Sequence, residues 1–241
     1  MDTSSPSQPT ARQPGFSLKA ILGFAAYMLL TPAVLFVAGG DWKWWAAWAY
    51  FALGLLGVIV SRLIALKVSP AMLHERSHAL EAKDAPAWDR VLVYVVAMVG
   101  PMVVLLVAGL DHRHRWPPQA AAWVQIAGFV LLILAYAFST WAMVSNPYFS
   151  AVVRIQSERG HHVVSSGPYA FVRHPAYAGG LVAILAAPLL LDALWALLPA
   201  ACVALAMVIR TALEDRTLQA ALPGYKDYAA SVKYRLIPGL W

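Results

Sequence analysis

Four long runs of almost uninterrupted apolar residues restrict the fold of this chain more than any other feature. They are Phe16–Val37, Trp44–Leu66, Val91–Leu110 and Ala121–Val144. A helix needs about 20 apolar residues to cross the hydrocarbon core of a bilayer. Because lipid offers no hydrogen-bond partner to backbone N–H and C=O groups, such runs must be helical. The sequence therefore predicts an all-α protein that crosses a membrane several times.

The composition agrees with lipid as the surrounding solvent. Hydrophobic residues make up 61% of the 241 residues and charged residues 12%, whereas a soluble domain has about 25% charged residues. The net charge is +6, but the positive residues lie in loops between apolar runs rather than on one soluble face. We therefore expect membrane lipid, and no nucleic acid, as a partner.

No metal site is expected. The single cysteine, Cys202, lies in an apolar run, and the chain has no Cys/His cluster with zinc spacing. The string HERSH at His74–His78 has the letters of a zinc-binding helix, but it lies in a charged segment beside the membrane. We interpret this segment, Glu75–Arg90, as a solvated interfacial helix.

The last apolar stretch, Ala176–Ile209, is too long for one span and short for two. Asp192 interrupts it. We predict a helical hairpin, with a fifth span from Pro175 to about Leu191 and a sixth from about Ala193 to Leu218, and with Asp192 capping the sixth span. The predicted fold class is a polytopic bundle of about six transmembrane helices that ends in this hairpin.

Charge distribution sets the predicted orientation. With six spans, only Lys43, Arg113 and Arg115 of the 18 Lys and Arg residues lie on one side, so the positive-inside rule places both termini in the cytoplasm. Residues 1–15 are rich in Ser, Pro, Gln and Thr, and are predicted to be a disordered tail. Residues 16–145 hold spans one to four, and residues 146–241 form a region of different character.

A polar connection of about 30 residues, Asn146–Tyr177, joins the fourth and fifth spans. Structured connections of this length are usually functional. We expect Gly160 and Gly167 to turn the chain. Arg173 and His174 should then lie at a helix N-terminus, where free N–H groups favour anions.

Ionisable residues near the end of the sixth span are a second candidate site. Arg210 and Glu214 are four residues apart and share a helix face.

The string HHVVSSGPYAFVRHPAYAGG, followed by EDRTL and a Tyr-rich end, resembles the isoprenylcysteine carboxyl methyltransferase family and its phospholipid methyltransferase relatives. The resemblance covers roughly Asn146 to the C-terminus.

This resemblance implies a methyltransferase that uses S-adenosylmethionine as cofactor. The cofactor would occupy a cytoplasm-facing pocket roofed by the C-terminal segment, and a lipophilic or lipid-modified acceptor would reach it from the bilayer. Carried over position by position, the cofactor-binding residues are His162, Val163, Val164, Gly167, Pro168, Tyr169, His174, Pro175, Tyr177, Glu214 and Asp215. Asp215 replaces the second glutamate of the family's usual acidic pair.

Two residues carry the expected catalytic roles. Glu214 would hold the ammonium group of the cofactor, and Arg173 would hold a carboxylate of the cofactor or of the acceptor through its bidentate fork. If the acceptor is an amine, His174 or Tyr177 would remove a proton. A carboxylate acceptor would need no base.

Two other interpretations stay open. The ending KDYAASVKYRLIPGLW is similar to the tail of sterol reductases, which use NADPH. A non-catalytic membrane scaffold or a transporter subunit is the third interpretation, although a transporter would place charges near the midplane of its spans. The sequence also leaves open whether the acceptor is a carboxylate or an amine, and the oligomeric state.

Overall fold

The computed structural model describes residues 18–78 and 85–241, and within these ranges the chain is helical and has no strand. The helices are α1 (Leu18–Gly39), α2 (Trp45–Val68), α3 (Pro70–His78), α4 (Ala87–Tyr94), α5 (Gly100–His114), α6 (Ala122–Ser145), α7 (Pro175–Leu190), α8 (Leu197–Ala221) and α9 (Tyr225–Ser231). A π-helical turn at Val95–Val99 joins α4 to α5. The predicted tail at residues 1–15 lies outside the described residues.

The described part of the chain has five helical segments that are long and apolar enough to cross a membrane. They are Ile21–Gly39, Trp45–Val68, Ala87–His114, Ala122–Ser145 and Leu194–Ala221. Helix α7 is apolar too, but its 16 residues are fewer than the number that a full span needs. The predicted all-α membrane bundle is confirmed, and the chain is an integral membrane protein.

The turn of the C-terminal hairpin differs from its prediction. Asp192 has a left-handed backbone (φ 51°), and its carboxylate accepts a hydrogen bond of 2.5 Å from the N–H of Ala120. A 3-10 turn, Leu194–Ala196, separates Asp192 from the start of α8. The prediction that Asp192 caps the sixth span is therefore wrong, because this turn carries the first N–H groups of α8 away from its carboxylate.

Polar contacts show which loops share an end of the bundle. Asp41, in the α1–α2 turn, lies 3.2 Å from His112 at the end of α5. The neighbouring Asp111 accepts a hydrogen bond from the N–H of Trp195 in the α7–α8 turn. At the opposite end, the N–H of Arg173 donates to the carbonyl oxygen of Tyr234. The polar connection and the C-terminal segment, residues 232–241, therefore lie together, away from these turns.

Small residues let α7 approach its neighbours closely. A Cβ added to Gly179 would lie 2.9 Å from the carbonyl oxygen of Ala135 in α6. A Cβ added to Gly180 would lie 2.7 Å from the terminal methyl of Met207 in α8. Close packing of this kind is typical of membrane helices, which lack a hydrophobic drive to associate. It holds the start of α7 firmly between α6 and α8.

Candidate active site

A cavity of about 660 Å³ opens at the end of the bundle that holds the polar connection. Ligand pockets in proteins span roughly 300–1,000 Å³, so the cavity has room for a sizeable ligand. Its polar half is formed by the connection and by α7, α8 and α9. Its other half, here called the apolar chamber, lies between α1, α2 and α6, and its apolar lining is formed by Met28, Phe51, Gly54, Leu55, Gly57 and Val58. Hydroxyl-bearing residues of the same helices also line it, namely Tyr27, Thr31, Tyr50, Ser61 and Tyr136.

Most of the predicted site residues line the cavity. They are His162, Val163, Val164, Tyr169, Arg173, His174, Pro175, Tyr177 and Glu214. Gly167, Pro168 and Asp215 lie behind the cavity wall and do not line it. The two predicted chain turns are confirmed, since Gly160 and Gly167 have φ angles of 65° and 60°.

Glu214 faces the cavity with one oxygen unoccupied. The hydroxyl of Tyr177 donates a hydrogen bond of 2.6 Å to its Oε2 atom, and no described residue donates to Oε1. The guanidinium of Arg210 lies 5.1 Å from the centre of the Tyr177 ring, while its Nε donates to Asp89 at 2.8 Å. Arg210 is therefore in direct contact with Asp89 rather than with Glu214, and the Oε1 atom of Glu214 is available to a cationic ligand.

Asp215, the next residue, has the opposite situation. It is fully buried, and its carboxylate oxygens bind five side chains, here called the Asp215 cluster. The partners are Arg173, His174, Gln219, Tyr225 and Arg235. A buried carboxylate is stable only when it is paired and hydrogen-bonded. Asp215 therefore stabilises the site from behind and has no oxygen left for a ligand.

Arg173 connects this cluster to the C-terminal segment. Its Nε donates to Asp215 Oδ1 at 2.7 Å and its Nη2 to Oδ2 at 3.1 Å. Its Nη1 donates to the carbonyl oxygens of Val232 and Lys233 at 2.7 and 2.9 Å. The fork that the sequence analysis assigned to a ligand carboxylate is thus directed at Asp215. Arg173, which itself lines the cavity, therefore anchors the C-terminal segment beside the polar half.

Residues 127–220 match the model of the isoprenylcysteine carboxyl methyltransferase (ICMT) family. The resemblance predicted from the sequence is confirmed over this ICMT region, which runs from α6 almost to the end of α8 and contains Glu214. The match supports a membrane methyltransferase and does not support the reductase or scaffold interpretations. No curated protein matches the chain.

An aromatic cluster at the mouth of the cavity belongs to the ICMT region but was only partly predicted. The rings of Tyr148 and His161 stack with their centres 4.5 Å apart. The Tyr148 hydroxyl lies 2.8 Å from Nδ1 of His162, and the N–H of Gln156 donates to Nδ1 of His161 at 3.2 Å. Burial and nearby positive charges lower the pKa of His161 to about 4, so this ring is neutral at physiological pH.

Sequence reasoning also missed a contribution from outside the ICMT region. Helix α3 buries Met72 and Leu73 against α2 and α6, and Arg76 on this helix lines the cavity. Helix α3 covers only the start of the segment predicted to be an interfacial helix, of which residues 79–84 lie outside the described residues, and α3 is packed into the protein on one face. Among the described residues no cluster of His, Cys, Asp and Glu could hold a metal; the side chain of His78 lies outside them.

Proposed function

We propose that the protein transfers a methyl group from S-adenosylmethionine to a lipophilic acceptor that reaches the site from the membrane. One observation carries this proposal: a single cavity joins the polar residues of the ICMT region to an apolar chamber between spanning helices. A methyltransferase of lipid-borne acceptors needs both environments, because its two ligands differ in polarity. The polar half alone would not accommodate a lipophilic acceptor, and the apolar chamber alone would not accommodate a polar cofactor.

The polar half suits the cofactor. The free oxygen of Glu214 is an acceptor for the ammonium group of S-adenosylmethionine, and charge-assisted hydrogen bonds of this kind are among the stronger ones in proteins. His162, Val163, Val164, Tyr169, Pro175 and Tyr177 would form the wall around it. When bound, the cofactor supplies an electrophilic methyl group on a sulfonium. The residues of this half hold it in place and exclude water.

Positioning is the main catalytic task of the chain in this proposal. Methyl transfer is an in-line displacement, for which correct orientation of the two reactants is worth several kcal/mol. We assign this task to Glu214 by direct contact, and to Arg173, His174 and Asp215 through the Asp215 cluster. Gly167 and Pro168 act on the shape of the wall, since a Cβ on Gly167 would lie 2.9 Å from Oγ of Ser145 in α6.

The apolar chamber suits the hydrocarbon part of the acceptor, and the polar contacts favour a carboxylate as its reacting group. An amine acceptor requires a base. The two candidate bases already have protein partners. The Tyr177 hydroxyl donates a hydrogen bond to Glu214, and Nε2 of His174 lies 3.2 Å from Asp215. A carboxylate acceptor needs neither residue as a base, and the proposed acceptor is therefore a lipophilic or lipid-modified carboxylate.

Binding to the purified protein in detergent tests the proposal. Calorimetry should detect S-adenosylhomocysteine binding in the micromolar range, on the order of −8 kcal/mol, and no heat with NADPH. Labelled methyl groups should then pass from S-adenosylmethionine to N-acetyl-S-farnesylcysteine and not to a phospholipid amine. Binding of NADPH in place of S-adenosylhomocysteine would overturn the proposal in favour of a reductase.

The orientation of the protein is a further part of the proposal. The cavity and both termini should face the cytoplasm, because 15 of the 18 Lys and Arg residues would then lie on that side. Reporter fusions should read cytoplasmic at Lys67, Ser150 and Trp241, and external at Asp41, Arg113 and Asp192. The same readout at Ser150 and Asp192 would contradict this orientation.

A further inference from the structure

Four arginines of the described ranges line the cavity, and three of them are paired with carboxylates. Arg154 binds Glu75 and Glu158, Arg173 binds Asp215, and Arg210 binds Asp89. Arg76 is the fourth, and no described residue offers it a carboxylate. Its guanidinium lies 4.8 Å from the centre of the Phe149 ring, which also lines the cavity. Arg76 thus differs from the other three arginines, because no carboxylate of the described residues is paired with it.

The environment of Arg76 is costly for an unpaired cation. Its Nε atom is buried and has no hydrogen-bond partner in the described part of the chain. Burial, and then the charge of Arg62, lower its pKa to about 10, so the group stays charged at neutral pH. The residue as a whole is half-buried, and a cation with a buried, unpaired donor is stabilised when a counter-ion arrives. The cavity beside Arg76 is the space from which a ligand could supply one.

The position of Arg76 is fixed by the packing of α3. Met72 and Leu73, one turn earlier, are buried against Ala65 of α2 and Met143 of α6. The guanidinium is therefore carried on an anchored helix and not on a loose loop. Arg76 and Glu214 line the same cavity with opposite charges, so the cavity is complementary to a ligand pair that presents an ammonium group and a carboxylate.

We infer that Arg76 binds a ligand carboxylate in this cavity and so provides an anion-binding residue from outside the ICMT region. The inference rests on the proposed function, from which the two possible sources follow. One is the amino-acid carboxylate of S-adenosylmethionine, and the other is the reacting carboxylate of the acceptor. A guanidinium binds either through two parallel N–H donors, a geometry that a lysine ammonium does not reproduce.

Binding measurements on Arg76→Gln and Arg76→Lys test the inference, with Arg216→Gln as a matched control on the exposed surface of α8. The probes are S-adenosylhomocysteine, its decarboxylated analogue, N-acetyl-S-farnesylcysteine and the neutral amide of that compound. The Gln variant should lose about tenfold to hundredfold in affinity for one carboxylate probe, the usual effect of a hydrogen bond to a charged group. The Lys variant should retain part of it, and the control should match the wild type.

The pattern of losses identifies the source of the carboxylate. Selective loss for S-adenosylhomocysteine, with its decarboxylated analogue unaffected, assigns Arg76 to the cofactor. Selective loss for the farnesylcysteine, with its amide unaffected, assigns it to the acceptor. Unchanged affinity for both carboxylates in either folded variant overturns the inference, whereas failure of the wild type to bind S-adenosylhomocysteine overturns the proposed function instead. Elution volume and thermal melting establish that the variants are folded.

Discussion

The two halves of the cavity are built in contrasting ways. In the polar half, Asp215 alone binds five side chains, which belong to the polar connection, α8, α9 and the C-terminal segment. The apolar chamber is walled by α1 and α2, whose exposed surfaces are large: 6% of the α2 segment is buried, against 39% of the segment that ends in α8. A dense ion-pair network fixes geometry, whereas loosely packed helices can adapt. The difference indicates that the polar half, where we propose that the cofactor binds, is rigid, and that the apolar chamber, where we propose that the acceptor binds, is adaptable.

The largest effect should come from breaking the Asp215 cluster. Asp215→Asn keeps the size of the side chain but removes the charge that balances the buried guanidinium of Arg173. Removing one partner of a buried ion pair costs about 3–5 kcal/mol. We expect a strongly lowered melting temperature and a poor yield of folded protein in detergent. The exposed Asp227→Asn in α9 is the matched control, and a wild-type melting curve for Asp215→Asn would contradict a structural role for the cluster.

The neighbouring acid should give a smaller and different effect. Glu214→Gln removes the charge but keeps an oxygen that accepts the Tyr177 hydrogen bond, so folding should be preserved. Affinity for S-adenosylhomocysteine should fall by about 1.5–3 kcal/mol, the usual worth of a hydrogen bond to a charged group. Calorimetry on the variant measures this loss, and Glu158→Gln, outside the cavity wall, should bind as the wild type does. A folded Glu214→Gln protein with unchanged affinity would refute the placement of the cofactor.

These two adjacent acids show what the sequence could and could not predict. Their order in the chain indicated a site at the end of the last span, but not which acid faces the ligand. Successive residues on a helix point about 100° apart, so the choice depends on the helices that pack around α8. Only the structure shows that the polar connection, α9 and the C-terminal segment enclose Asp215 and leave Glu214 open.

The spans themselves were predicted closely because membrane thickness sets their length. The fourth span was expected at Ala121–Val144, and α6 occupies Ala122–Ser145. The role of Arg76 was out of reach, since a nine-residue helix of low hydrophobicity carries no signal of the cavity that it faces. A salt bridge between residues far apart in the chain, such as that between Arg210 and Asp89, leaves no periodic pattern in the sequence from which it could be predicted.

Narrowing the apolar chamber tests whether it holds the acceptor. Gly54 lines the chamber, and the nearest atom to a Cβ added there is the Tyr136 hydroxyl oxygen at 4.0 Å. Gly54→Leu therefore fits the helix but fills space meant for the acceptor. Forcing extra groups into a filled site costs about 1–3 kcal/mol, so KM for the acceptor should rise about fivefold or more.

A steady-state assay with both ligands varied separates this effect from a general one. The KM for S-adenosylmethionine should stay at its wild-type value in Gly54→Leu, because the polar half is untouched. Gly23→Leu is the matched control, since Gly23 also lies in a spanning helix but has open space around it. Equal acceptor KM values in the two variants would show that the apolar chamber does not hold the acceptor.

The smallest effect concerns the pH response of the rigid side. His161 has a pKa of about 4, lowered by burial and by the charges of His162, Arg159 and Arg154, against about 6.5 in an unfolded chain. Above pH 6.5 both states are neutral at this residue, and it adds no pH dependence. Between pH 6.5 and 4 the unfolded state binds a proton at this residue and the folded state does not, so the free energy of unfolding falls as the pH falls.

Melting curves at pH 7.5 and 5.0 measure this response. His161→Asn keeps an acceptor for the N–H of Gln156 but cannot titrate, so its melting temperature should fall less on acidification than that of the wild type. Because the ring is partly exposed, solvent screening keeps the difference small, on the order of 2–4 °C in a chain of this size. His114→Asn, which replaces an exposed histidine at the other end of the bundle, should fall as the wild type does. An identical fall in His161→Asn and the wild type would mean that His161 titrates freely, and that the mouth of the cavity is more open to water than its stacked rings indicate.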